Sequence, residues 1–393
     1  MPRADDSDAR VFAAARREFL FPPSIAFFNT GTFGASPREV IAAVTDGYRD
    51  VERDLPDFAY RPQAADVTPT TGYQPLPTLR AEPAALINAP VDEVALTLNA
   101  TMGMSFLANG LDFERGDEIV TTDQEHPGGI SPWLLQARRH GVLVKQLELG
   151  PALAAGPDAV VRLFADAITP RTRVVMFSHI TSTLGIKLPA RELCVTARSG
   201  GALSIVDGAH TVGQMRVDVK AIGCDAYVMS THKWLLAPKG TGLLYIRREV
   251  QNRLWSTLAT AGFDDRQKDA SRFMLIGTGP LPPVLGLRAA VRFMTRLGIE
   301  RVERWDNMLT ARLREGLARI PHVRLSSPSD PRLCSAMTTF AVAGRKADDV
   351  QDELWKRKIR VRAEGDAGVR LSAHIYVSPA DIDRVLSVVE SLR

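Results

Sequence analysis

Ser230-Thr231-His232-Lys233-Trp234 stands between two apolar runs, Ala226-Tyr227-Val228-Met229 before it and Trp234-Leu235-Leu236 over its end. Four apolar residues bounded by polar ones read as a buried strand. Lys233 therefore follows a strand end, away from a solvated face. Upstream, Leu203-Ser204-Ile205-Val206-Asp207-Gly208-Ala209-His210 repeats the pattern and ends on an acid. An aspartate before glycine also suits a turn. Beside His210 and Lys233, however, the same acid reads as a buried carboxylate that needs a cationic partner.

The pattern extends in both directions. Strands are expected over 94–99, 119–122, 143–148, 174–178, 204–206, 226–229 and 243–245, with helices such as 130–140 and 157–168 between several of them. Strand–helix alternation with short connections predicts a mostly parallel sheet covered on both faces. Ligands of such sheets gather outside the carboxyl ends of the strands. Asn99, His126, His179, Asp207 and Lys233 all fall at or just after predicted strand ends. Residues 286–393 read differently: two helical stretches over 286–319, then strands at 336–343, 359–362 and 368–372, a helix over 348–356 and a last helix from Pro379. That is a small α+β domain. An amphipathic helix is expected over 7–20, and 56–77, rich in Pro and Thr, is expected to be irregular.

A chain of 393 residues suits two domains around a large core. Net charge is +4 without a dense basic run, so neither nucleic acid nor membrane is expected as a partner. Cys194, Cys224 and Cys334 are scattered with no CxxC, which fits a reducing, cytoplasmic setting. There is no HExxH, no Cys/His ligand spacing and no nucleophile elbow, so no metal is expected.

The strand-end residues point to pyridoxal 5′-phosphate. Its aldehyde condenses with a lysine, and its pyridinium nitrogen faces an acid that keeps the ring an electron acceptor. Asn99-Ala100-Thr101-Met102-Gly103 joins a strand to a helix, where backbone amides and a Thr hydroxyl suit an anion. An ordinary N-cap there is compatible with that role. Ser230 and His232 are candidate donors to the same phosphate. His126, in Glu125-His126-Pro127-Gly128-Gly129, places a flat ring near another strand end, though a lone histidine more often serves a structural hydrogen bond. In Val369-Arg370-Leu371-Ser372-Ala373-His374, alternation puts Arg370, Ser372 and His374 on one face. A guanidinium there can hold a carboxylate bidentately, although an exposed edge arginine is the commoner case.

The chain resembles the class V aminotransferase family of PLP fold type I, in its isopenicillin N epimerase-like branch. The matching segments are Phe28–Gly34, Ser178–Gly185, Val206–His210, Ser230–Pro238 and Val369–His374. The resemblance implies an α/β fold, with a mostly parallel seven-stranded-type sheet in a large domain (21–280) and a small domain from 1–20 and 281–393. It implies Lys233 as the cofactor lysine, Asp207 at the pyridinium, His126 on the ring face and His210 beside the ring hydroxyl. Ala100, Thr101, Ser182, Ser230 and His232 would complete the cofactor site. Catalysis would rest on Lys233 and His126, and substrate binding on Arg370, Asn29 and Gly31. Gly277-Thr278 resembles the segment that reaches the neighbouring subunit's phosphate, which implies a homodimer with a shared site.

The implied activity is action at Cα or Cβ of an α-amino acid, as epimerase or cysteine-conjugate C–S lyase in specialised metabolism. Transamination, a decarboxylative or oxidative outcome, and a non-catalytic binding protein on the same fold are the alternatives. Two departures stand out. Related cysteine desulfurases carry a persulfide-forming cysteine shortly before the carboxylate-binding arginine, and the segment 361–369 contains none. Ser182 stands where many relatives have Asn.

Overall fold

The computed structural model of the chain describes residues 6–57, 76–259, 263–277 and 279–392. The strands, in chain order, are β1 (Ala26–Phe27), β2 (Val94–Thr97), β3 (Glu118–Thr122), β4 (Leu143–Leu147), β5 (Thr172–Ser178), β6 (Leu203–Asp207) and β7 (Ala226–Met229). They continue as β8 (Gly242–Ile246), β9 (Val323–Leu325), β10 (Met337–Val342), β11 (Ile359–Arg360), β12 (Arg362–Ala363) and β13 (Val369–Ser372).

Seven strands form one sheet in the order β2-β8-β7-β6-β5-β3-β4. All run in one direction except β8, which is antiparallel to both neighbours, β7 and β2. A parallel pair needs a long crossover, usually helical. The connection from β7 to β8 is instead the loop that carries Lys233, so the chain reverses there. Both faces of the sheet are apolar. Val175, Phe177, Val206, Tyr227, Met229 and Leu243 face one hydrophobic cluster. Val174, Met176, Ile205, Val228 and Leu244 face another. Strands buried on both faces lose the polar alternation of a half-exposed strand, which is why they read as continuous apolar runs.

The C-terminal region builds a four-stranded sheet, β12-β13-β10-β9, antiparallel throughout. The single strand expected over 359–362 is two. β11 pairs with β1 and β12 pairs with β13, because the ladder changes partner at the buried Val361. The first helix is Asp6–Arg16, shorter than the expected 7–20. It packs on the C-terminal region, with Phe12 stacked on Trp305 at 4.8 Å and Asp8 paired to Arg301 at 3.0 Å. Of the stretch 56–77, residues 58–75 lie outside the described residues; Leu55–Asp57 is one helical turn and a helix starts at Pro77.

One contact ties the C-terminal region to the lysine loop. β13 ends at Ser372, and the chain then turns, with the Val377 amide donating to the His374 carbonyl at 2.7 Å. His374 therefore leaves the face it was expected to share with Arg370. Its Nε2 donates to the Trp234 carbonyl at 2.9 Å, and its Nδ1 meets Asp306 Oδ2 at 2.7 Å. Neither side chain of the pair is exposed. Burial pushes the Asp306 carboxyl up, and the imidazole opposes that shift. Removing one partner strands the other in a low-dielectric core. His374→Leu should therefore cost about 3–5 kcal/mol in urea unfolding of the apoprotein. The pair His374→Leu with Asp306→Leu should recover much of that loss. A double variant no more stable than His374→Leu alone would assign the cost to packing around the ring.

Candidate active site

The parallel strands bring their carboxyl ends to one edge, and the reversed β8 starts there. A cavity of about 250 Å³ lies at that edge, lined among others by Asn99, His126, Asp207, Ser230 and Lys233.

The lysine is held by its backbone. The Gly34 amide donates to the His232 carbonyl at 2.9 Å, and a Cβ on Gly34 would lie 2.1 Å from the Lys233 carbonyl oxygen. Only glycine lets the 29–34 loop approach so closely. Lys233 Nζ lies 3.0 Å from His210 Nε2. The Trp234 indole N–H donates to His210 Nδ1 at 3.4 Å, which assigns the remaining ring hydrogen of a neutral His210 to Nε2. That hydrogen then points at the amine lone pair. Lys233 opens to the cavity, yet protein surrounds it, and burial brings its pKa down to about 8 against the opposing pull of Asp207. Burial also holds His210 well below the ordinary imidazole range, with Lys233 adding to the effect. Both shifts favour an unprotonated amine, the form that condenses with an aldehyde.

Asp207 ends β6. Its Oδ1 accepts the Ala209 amide at 2.9 Å, and burial raises its pKa, with that amide and Lys233 opposing. A Cβ on Gly129 would come within 3.0 Å of Oδ2. The small residue leaves that oxygen room for a ligand. Behind Asp207 lies Glu125, which sequence reasoning quoted but gave no role. It takes Ser178 Oγ at 2.6 Å, the Ser178 amide at 3.1 Å and Thr122 Oγ1 at 2.7 Å. Burial raises it to about 7, with the Ser178 and Thr122 hydrogen bonds opposing. It fastens the loop carrying His126 to the end of β5. His126 itself is the N-cap of helix Pro127–His140, with Nδ1 accepting the Gly128 amide at 3.0 Å. The cap fixes the ring and leaves the hydrogen of its neutral form on Nε2. Burial lowers its pKa first and Lys233 second.

The start of the helix after β2 and the Ser230 hydroxyl meet at the cavity wall. Asn99 caps helix Ala100–Gly110 through the Met102 amide at 2.9 Å. Ser230 Oγ accepts the Ala100 amide at 3.1 Å, which leaves its own hydrogen to donate. Thr101 and His232 complete the wall. His232 Nδ1 faces the Thr241 carbonyl at 3.2 Å and must donate to it. Neutral His232 therefore offers Nε2 only as an acceptor, and burial lowers its pKa. It becomes a phosphate donor by taking up a proton.

Gly31 and Ser182 line the cavity, but Asn29 and Arg370 stand behind it. Asn29 Oδ1 accepts the Thr32 hydroxyl at 2.7 Å, and Thr32 is the residue that faces inward. Arg370 is 1% exposed. Its guanidinium donates to the Ser182 carbonyl at 2.7 Å and to Thr32 Oγ1 at 3.0 Å, while its Nε has no partner. Burial lowers its pKa to about 10 against Glu364. Arg362, which sequence reasoning passed over, is the arginine that lines the cavity. Its strand, β12, is only two residues long, so no period in the sequence marks it; the ladder sets it opposite Arg370. His179 turns away, its Nδ1 2.8 Å from Tyr227 Oη. Thr278 lies outside the described residues.

The residues fit pyridoxal phosphate. An amine whose pKa burial brings down to about 8, an acid with one oxygen free of the backbone, and a helix N-terminus with a hydroxyl donor meet in one cavity. Together with the sheet they define a pyridoxal-phosphate enzyme of fold type I. A sequence profile of the Aminotransferase class-V family matches residues 28–385, and the chain belongs to that family. Its cofactor is pyridoxal 5′-phosphate. The chain is 31% identical to an isopenicillin N epimerase of Streptomyces clavuligerus, over 96% of this chain and 97% of that one. An apo cysteine desulfurase from Thermococcus onnurineus superposes with a TM-score of 0.84 at 26% identity, over 97% of both chains. A cystine C–S lyase solved with cysteine persulfide gives 0.81 at 25% identity, over 93% of this chain and 97% of that one. Among the described residues no helix is long and apolar enough to cross a membrane, and no group of side chains is placed to hold a metal.

The His232 geometry has a thermodynamic signature. Binding inorganic phosphate to the apoprotein near neutral pH should be accompanied by proton uptake, because an anion raises the depressed imidazole pKa. Calorimetry in buffers of different ionisation enthalpy reads it. His232→Gln should take up fewer protons, and an unchanged count would place the proton elsewhere.

Proposed function

We propose that this chain acts at Cα or Cβ of an α-amino acid, as an epimerase or a cysteine-conjugate C–S lyase of isopenicillin N epimerase type in specialised metabolism. The observation that carries this is the Lys233 amine, 3.0 Å from His210 and depressed to about 8. Bound pyridoxal phosphate supplies an electron sink for the charge left when a Cα bond breaks. Asp207 keeps that sink effective by pairing with the ring nitrogen. With the cofactor bound, the Lys233 amine would take the Cα proton as general base, and a pKa near the working pH suits that task. Arg370 holds the α-carboxylate from behind the wall that Gly31 and Thr32 form, and Asn29 acts by bracing the Thr32 hydroxyl.

His126 is the second catalytic candidate: its capped ring keeps the Nε2 hydrogen at the cavity wall, where it can donate a hydrogen bond to a group bound there. Ser230, His232, Ala100 and Thr101 hold phosphate, and Ser182 and His210 flank the ring hydroxyl. We place a homodimer behind the shared site through Thr278, the large domain at 21–280 and the small domain at 1–20 and 281–393.

Cys334 supports a reading other than cysteine desulfurase. It follows the turn Pro331–Leu333, its thiol contacts Arg314 and the Pro328 and Asp330 carbonyls, and it does not line the cavity.

Borohydride reduction of the holoenzyme followed by peptide mapping should place the pyridoxyl group on Lys233; label on another lysine removes the site. Product analysis in D2O separates the outcomes. An epimerase converts either enantiomer to a mixture deuterated at Cα, and a lyase releases pyruvate, ammonia and a thiol from S-substituted cysteines. With pyruvate added as amino acceptor, alanine accumulating in step with the 2-oxo acid of the substrate would instead indicate transamination.

Cys334→Ser should keep near-normal turnover with every substrate. A persulfide trapped on Cys334 during turnover would revive the desulfurase reading.

A further inference from the structure

The segment 361–369 has no cysteine, but it carries Glu364. β12 and β13 set Arg362 directly opposite Arg370. Like charges facing each other across a ladder repel. Glu364 offsets the repulsion: its Oε1 lies 2.8 Å from Arg370 Nη1 and 3.0 Å from Arg362 Nε. The Glu364 side chain is only 11% exposed. No N–H of either guanidinium aligns with that oxygen as a hydrogen bond, so the contacts are ion pairs. Thr32 Oγ1 joins the same two arginines, accepting from Arg370 at 3.0 Å and from Arg362 at 3.2 Å. The cluster of Arg362, Arg370 and Glu364 is thus a two-cation site with one internal anion, and its net charge is that of a single guanidinium.

We infer that Glu364 determines substrate charge: it reserves the arginine pair for one carboxylate and selects α-amino acids with no second carboxylate near Cα. This rests on the proposed placement of the α-carboxylate at Arg370. A substrate of aspartate or glutamate type brings a second anion to a wall whose spare positive charge the first has already matched. Burial limits screening by solvent there. Glu364→Gln keeps the size of the side chain, removes its charge and leaves a second guanidinium, Arg362, unmatched. Arg362 is 44% exposed and lines the cavity, so it can reach a side-chain carboxylate.

Two measurements test this. In the holoenzyme, dissociation constants for glutamine and glutamate are read from the change in the visible cofactor band. Wild type should prefer glutamine, and Glu364→Gln should shift the ratio toward glutamate by about tenfold or more, the weight of a charge-assisted contact. In the apoprotein, malonate and acetate are compared as thermal stabilisers. Malonate should raise the melting temperature of Glu364→Gln more than that of wild type, and acetate should raise both alike. An unchanged glutamine-to-glutamate ratio with equal malonate responses overturns the inference. A wild-type protein with no cofactor band would be a failure of the functional reading instead, and the malonate comparison would still decide the role of Glu364.

Discussion

Everything at the site depends on the immobility of the Lys233–Trp234 backbone. The Lys233 carbonyl is pressed by the 29–34 loop, where Gly34 leaves no room for a side chain, and the Trp234 carbonyl is held by buried His374. A Cβ on Gly213 would lie 2.3 Å from the Trp234 carbonyl atoms, so the chain is hemmed in from a third side. A four-carbon side chain is flexible, and a reacting amine needs a narrow range of positions. Fixing its root and abutting its tip on His210 supplies that range without tethering the amine itself. The small C-terminal elements therefore contribute to the site through backbone contacts more than through side chains that meet the cavity.

The same segment sets the charge states. Trp234 does two things at once: its carbonyl receives His374, and its indole fixes the His210 tautomer. His210 then presents a hydrogen to Lys233, and burial acts in the same direction on both groups. Asp207 pulls the other way but is itself raised by burial, so it waits for a cation with more to offer than a distant amine. A protonated ring nitrogen is such a cation. The protein thus holds an acid and an amine in a low-dielectric edge where each is poorly satisfied alone. That unsatisfied arrangement is what makes the site specific for a ligand that completes both.

The readable parts of this design were those that a strand end enforces. The positions of Lys233, Asp207, Asn99 and His126 follow from period and termination, because apolar runs stop where chains turn at the sheet edge. The parallel sheet was legible for the same reason, and the one reversed strand was not, because period alone carries no direction. Contacts between segments far apart in sequence were equally hidden. Nothing near residue 374 announces that its partner is Asp306 or that it will face Trp234. For His126 the structural hydrogen bond that a lone histidine more often serves is the helix cap, and its position one residue before Pro127 is the helix start from which that role follows. Arg370 stood out through its resemblance to a family motif. Its neighbour Arg362 sits across a two-residue strand too short to show a period.

The loop between these two arginines folds into a short helical turn, Gly365–Ala367, with the Glu364 amide donating to the Gly368 carbonyl at 2.8 Å. That closure points the segment back on itself and directs a carboxylate to the arginines. The only half-buried cysteine among the described residues, Cys334, is held at its own turn by Arg314 and two carbonyls. None of the three cysteines lines the cavity. Lys233 and His126 do line it, one fixed by its backbone and the other by its helix cap, so the groups the fold holds most firmly at this wall are an amine and an imidazole.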